Sequence, residues 1–133
     1  MIIKSIELAD YKNYDFLNMQ YDKGTNILYG DNAQGKTNIL EAIFVSATTK
    51  SHRGSKDGEI VRFGKEESHI RTYLEKEGVE TRVDMHLRKS KSKGIAIDGQ
   101  KVKKAADLLG LCNVVFYDTQ ILRGKKYYIA QTQ

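Results

Sequence analysis

The first residues of the chain alternate in polarity: Ile2, Ile6 and Leu8 fall on one side, as in a half-buried strand over residues 2–8. Residues 16–21 alternate less cleanly and read as a partner strand, followed by a turn at Asp22-Lys23-Gly24. Residues 25–29 form a short, mostly apolar run that ends at Gly30, which suits a buried central strand. The period then changes. Ile39, Leu40, Ile43 and Phe44 recur at helical spacing, with Ala42 and Ala47 filling in, and predict a helix over 36–48. Residues 49–56 are polar and basic and read as a loop. Two further strands, 67–76 and 79–87, meet at Glu77-Gly78, and residues 88–93 form a charged turn. Residues 95–97 and 100–102 make a tight hairpin around Asp98-Gly99, a type I′ signal. A short helix over 105–109, stopped by Gly110, and a buried strand over 113–116 complete the pattern.

Composition narrows the class. A chain of 133 residues with 40% hydrophobic positions fits one compact domain or part of a larger one. No apolar run approaches the length of a membrane span, and the first residues lack the apolar core of a secretory signal. The single cysteine, Cys112, excludes an internal disulfide and reads as a small core residue, so a cytoplasmic protein is expected. The net charge of +5 and pI of about 9.2 permit an anionic polymer as partner without requiring one.

The sharpest chemistry lies between the third strand and the first helix. Gly30-Asp31-Asn32-Ala33-Gln34-Gly35-Lys36-Thr37 fits the phosphate-loop pattern G-x4-G-K-[ST]. Gly30 and Gly35 allow backbone angles and close approaches that a Cβ would block. The loop amides then turn inward as an anion nest, and the helix beginning near Lys36 adds its positive end. Lys36 is expected on the β- and γ-phosphates of ATP and the Thr37 hydroxyl on Mg²⁺. The bland alternative is a solvated glycine turn.

Around this loop the residues resemble the RecF family of the SMC/ABC-type ATPase class. The resemblance rests on Leu8 to Tyr14, on Asn26 to Ile43 with its Asn-Ala-Gln-Gly-Lys-Thr-Asn core, on Ser51-His52-Arg53 with Lys56-Asp57 and Glu59-Ile60, and on Asp107 to Gly110 followed by Asn113 to Phe116. It implies an α/β P-loop NTPase fold, the N-terminal part of an ABC/SMC-type head, with an antiparallel β-rich subdomain. The domain is expected over residues 1–116, the β-rich part over about 67–103, and a divergent tail over 117–133. The resemblance also implies ATP and Mg²⁺ as cofactors and an ATP-dependent homodimer. Its expected roles are DNA replication, recombinational repair and the SOS response, with recombination mediator proteins of the same pathway and single- or double-stranded DNA as partners. Lys12 and Asn13 match a strand-end position near the nucleotide, although relatives often carry arginine where Lys12 stands. The family's Walker B aspartate and signature serine lie past the matched region, so the tail reads as a truncation, a frameshifted end or a divergent fragment. No catalytic residue is assigned, and little hydrolysis is expected from this chain alone.

Arg53 resembles the arginine loop of SMC-type ATPases, near nucleotide and DNA; as a residue on its own it is equally a solvated loop charge. The run Arg88 to Lys93, with Lys101, Lys103 and Lys104, reads either as a soluble hairpin tip or as a surface for a phosphate backbone. The candidate DNA contacts are Arg53, Lys89, Lys91 and Lys93. His52 reads as a structural histidine or as a hydrogen-bonding orienter, and no metal cluster is expected around His52, His69 or His86. Two other readings stand beside this one. A P-loop kinase or GTPase-like enzyme is the first, although no Asn-Lys-x-Asp motif occurs. The second is a remnant that neither folds stably nor binds ATP, its sheet edges uncovered.

Overall fold

The computed structural model describes residues 2–22, 25–29, 33–51, 53–102, 114–118 and 126–131. The strands are β1 (Ile2–Tyr11), β2 (Tyr14–Gln20), β3 (Thr25–Tyr29), β4 (Glu67–Lys76), β5 (Val79–Arg88), β6 (Gly94–Ile97), β7 (Gln100–Lys101), β8 (Val114–Asp118) and β9 (Lys126–Gln131). The helices are α1 (Ala33–Thr48) and α2 (Asp57–Ile60). They build a six-stranded antiparallel sheet in the order β2-β1-β4-β5-β6-β7 and a three-stranded sheet in the order β3-β9-β8. The stretch from β4 to β7 therefore continues the sheet begun by β1 and β2, because β4 pairs directly with β1.

The core lies between the large sheet and α1. Ile6, Leu8, Ile70, Met85 and Leu87 from the strands meet Ile39, Leu40, Ile43 and Val45 from the helix, all buried. Alternation explains most of this: on β4 and β5 the pairs Ile70↔Met85 and Thr72↔Val83 face inward, and the pair between them, Arg71↔Asp84, faces outward. In β1 the phase breaks. A register shift between Ile3 and Ser5 puts Ile3 into the core with Ile6 and Leu8, where strict alternation pointed to Ile2. The side chain of Ile2 lies outside the described residues.

Two further expectations are corrected, and one unassigned stretch is filled. Helix α1 begins at Ala33, three positions before the first helical period. Ala33, Gln34 and Lys36 favour helix, so the apolar stripe marks where the buried face starts, not where the backbone turns helical. Residues 57–60, unassigned in the sequence, form α2, which buries Ile60 and leads Val61 into a bridge with Tyr11. The strand over 25–29 is not central among the described residues: β9 pairs one edge and sits between β3 and β8. Antiparallel addition needs only a free edge and a matching length, which the last strand supplies. The turns fall where they were read. Glu77-Gly78 and Asp98-Gly99 have positive φ at both residues (53°, 81° and 51°, 83°), the left-handed geometry these hairpins demand. The expected helix over 105–109, Lys103, Lys104 and Cys112 lie outside the described residues.

Candidate functional site

The phosphate-loop segment runs from the end of β3 into α1. Gly30, Asp31, Asn32 and the side chains of residues 33–37 lie outside the described residues, so their contacts with phosphate remain sequence expectations. The backbone of Ala33, Gln34, Gly35, Lys36 and Thr37 forms the first turn of α1. A helix leaves its first N–H groups without intrahelical acceptors, and no acidic side chain stands in this first turn to occupy the positive end. Its donor chemistry fits an anion.

Beside α1 lies a cleft of about 500 Å³ lined by Lys12, Asn13, Asn38, Arg53, Glu59, Phe63 and Lys89, among others. Each element brings its residue for a local reason. Lys12 and Asn13 are the two turn residues of the β1–β2 hairpin, where Tyr11 pairs with Tyr14. Lys12 takes φ of 45°, a left-handed conformation costly for a lysine. It is held there by its N–H donating to the Ile60 carbonyl at 2.8 Å. Asn38 Nδ2 donates to Asn13 Oδ1 at 2.8 Å, and Arg53 Nη1 donates to Asn38 Oδ1 at 3.2 Å. The hairpin turn, the helix and the loop after it are thus tied by one chain of side-chain hydrogen bonds. Lys12, Arg53 and Lys89 against Glu59 leave the lining cationic.

Under the cleft stands Glu41, a helix residue with no exposed surface. Its Oε1 accepts from Lys12 Nζ at 2.5 Å and Tyr11 Oη at 3.3 Å, and its Oε2 accepts from Ser51 Oγ at 2.6 Å and Ser55 Oγ at 2.9 Å. Burial pushes the carboxyl pKa up, but the hydrogen bonds from Lys12, Ser51 and Ser55 outweigh it and hold the group below its ordinary value. Glu41 therefore stays ionised at neutral pH. Burial and the same carboxylate drive the Tyr11 phenol far upward, so it stays protonated as a donor. This hub fixes Lys12 from one side of the cleft and the loop carrying Arg53 from the other. Sequence reading assigned no role to Glu41. The available signal was a charged residue between Leu40 and Ala42, inside the apolar stripe of the helix.

The four candidate DNA contacts separate in space. Arg53 and Lys89 share the cleft, and Lys91 is exposed. Lys93 is committed elsewhere: its Nζ lies 3.1 Å from Asp57 Oδ1 and also donates to the Thr49 carbonyl, clamping the β5–β6 turn to the end of α1. His52 lies outside the described residues. No metal cluster was expected around His69 or His86, yet strand pairing sets His69 opposite His86 with Glu67 beside them, a grouping of three groups able to ligate a metal. His86 lies 17 positions from His69 and 19 from Glu67 across a hairpin, a proximity visible only once the register is known.

With this geometry in place, known proteins define the class. Residues 4–127 match the family described as AAA domain, and the chain belongs to that family as a P-loop NTPase. In particular, it corresponds to the N-terminal region of RecF. It is 57% identical over 122 residues to the DNA replication and repair protein RecF of Lachnospira eligens, a match covering 92% of this chain and 34% of that protein. The chain thus spans about a third of the length of the curated relatives it matches. The structure of the recombination mediator protein RecF-ATPrS in the RecFOR pathway superimposes with a TM-score of 0.82 at 31% identity, covering 90% of this chain and 33% of that one. An SMC head bound to the C-winged helix domain of ScpA shares the fold, with a TM-score of 0.73 at 18% identity over 84% of this chain and 40% of that one. No described helix is long and apolar enough to cross a membrane.

Proposed function

We propose that the chain binds ATP, with its phosphates on the loop Gly30–Thr37 and the first turn of α1, and the rest of the nucleotide along the cleft of Lys12, Asn13 and Arg53. The observation that carries this reading is the tie between Asn13, Asn38 and Arg53, which joins three polar groups around a helix whose first turn carries no acidic residue. Lys36 supplies positive charge to the β- and γ-phosphates, and Thr37 supplies an oxygen ligand for the Mg²⁺ that accompanies ATP. The chain's similarity to RecF, a DNA replication and repair protein and a recombination mediator, supports a role in those processes, and we extend that role to ATP-dependent pairing of two copies and to DNA as partner. Within that role Arg53, Lys89 and Lys91 are the DNA contacts, working in the cytoplasm and in the SOS response, alongside recombination mediator proteins.

Calorimetric titration with Mg·ATP tests the reading. Lys36→Ala removes a charge-assisted contact to phosphate and is expected to weaken binding by about 1.5–3 kcal/mol. Equal affinity of the folded variant and the wild type would place the nucleotide elsewhere.

A further inference from the structure

The outer face of the six-stranded sheet, opposite α1, is a ladder of polar cross-strand pairs. Glu67 faces Arg88, His69 faces His86, Arg71 faces Asp84 and Tyr73 faces Arg82. One rung differs from the others. His69 and His86 stand with ring centroids 3.7 Å apart at 43°, and each of them, with Glu67, offers a ligand atom within 4.8 Å of the other two. The rung is also flanked by space. Its neighbours across the sheet are Ala9 on β1 and Gly94 on β6, the two smallest kinds of side chain. A depression of about 430 Å³ opens beside both rings, and one of about 210 Å³ opens beside His69.

We propose that Glu67, His69 and His86 form a binding site for a borderline divalent transition ion, of which Zn²⁺ is the type. Two imidazole nitrogens and one carboxylate oxygen are a common three-ligand set for zinc, with water completing the tetrahedron. Bonds of about 2.1 Å place tetrahedral ligand atoms about 3.4 Å apart, so small rotamer adjustments close the present spacing. Glu67 Oε2 and His86 Nε2 already meet at 2.9 Å, and the ion takes the place of the proton between them. Metal binding needs unprotonated imidazole. Mg²⁺ and Ca²⁺ prefer all-oxygen shells and do not compete. Arg88 Nε, 3.7 Å from Glu67 Oε1, opposes the incoming charge and limits affinity. The bound ion crosslinks β4 to β5 on the face away from the nucleotide cleft, and the proposal does not depend on the ATP reading.

The test is a calorimetric titration of the full chain with Zn²⁺ at neutral pH in excess Mg²⁺. Removing an outer partner of a metal ligand already costs tenfold or more, so His69→Asn and His86→Asn are each expected to weaken Zn²⁺ binding by at least about tenfold. His52→Asn is expected to leave it unchanged. Circular dichroism reports whether each variant is folded, and the wild-type chain gives an independent readout through Cu²⁺ electron paramagnetic resonance. Coupling to two nitrogen ligands is expected there. Unchanged Zn²⁺ affinity in both folded histidine variants, or a Cu²⁺ spectrum with fewer than two nitrogens, overturns the site.

Discussion

Glu41 and Glu67 each anchor a polar cluster, one beneath α1 and one on the open face of the large sheet. Glu41 has no exposed surface, and both its oxygens are used, by Lys12 and Tyr11 on one and by Ser51 and Ser55 on the other. Glu67 is about half exposed, meets His86 on one oxygen and keeps only a loose contact with Arg88 on the other. The first cluster is saturated, and its work is to hold a cleft in shape. The second has coordination to spare, which is what the proposed ligand site requires. Burial decides between them, because an unsatisfied carboxylate is costly inside and cheap in water.

The largest expected effect comes from breaking the saturated cluster. Glu41→Ala leaves Lys12 half-buried without its counter-charge and is expected to cost about 3–5 kcal/mol in chemical denaturation, toward the lower end because Lys12 can still reach water. Acid should reproduce part of this. The folded carboxyl sits below its unfolded value of 4.5, so the unfolded chain takes up the proton first as pH falls. Its stabilisation is complete above that value and is lost as pH drops through the lower folded one. Glu41→Gln should flatten the stability profile in that window, and an unaltered profile would detach Glu41 from acid sensitivity.

The distinction between committed and free charges also divides the lysines. Lys89→Ala and Lys91→Ala are each expected to reduce the salt-dependence exponent of DNA binding by about 1, read by titration at several salt concentrations. Lys93→Ala is expected instead to lower stability, since it breaks the link to Asp57 and Thr49. An identical loss of salt slope at all three positions would erase the difference. The smallest effect belongs to the exposed ladder: Arg71→Ala, which removes the pair with Asp84 at 2.6 Å, should change stability by no more than about 1 kcal/mol in thermal unfolding.

Features set by neighbouring residues were legible in the sequence. The strand over 25–29 and the glycine-containing turns at 77–78 and 98–99 carry their instructions within a few positions. Features set by distant residues were not. Glu41 carried no legible role in the sequence, because Ser51, Ser55, Lys12 and Tyr11 reach it from other elements. The approach of His69 to His86 required the register of β4 and β5, and the inclusion of Ile3 in the core required a bulge that no alternation rule announces. The placement of β9 beside β3 depends on which edge is free, a property of the assembled sheet.

The central claim, that ATP lies between the first turn of α1 and the cleft braced by Glu41, is tested most directly by mapping backbone amide resonances of the labelled chain as Mg·ATP is added. The account predicts that the largest shifts fall on residues 33–37, Lys12, Asn13, Asn38 and Arg53, with the rung of His69 and His86 unmoved. Shifts confined to the outer face of the sheet, or none at saturating nucleotide in a folded sample, would contradict it.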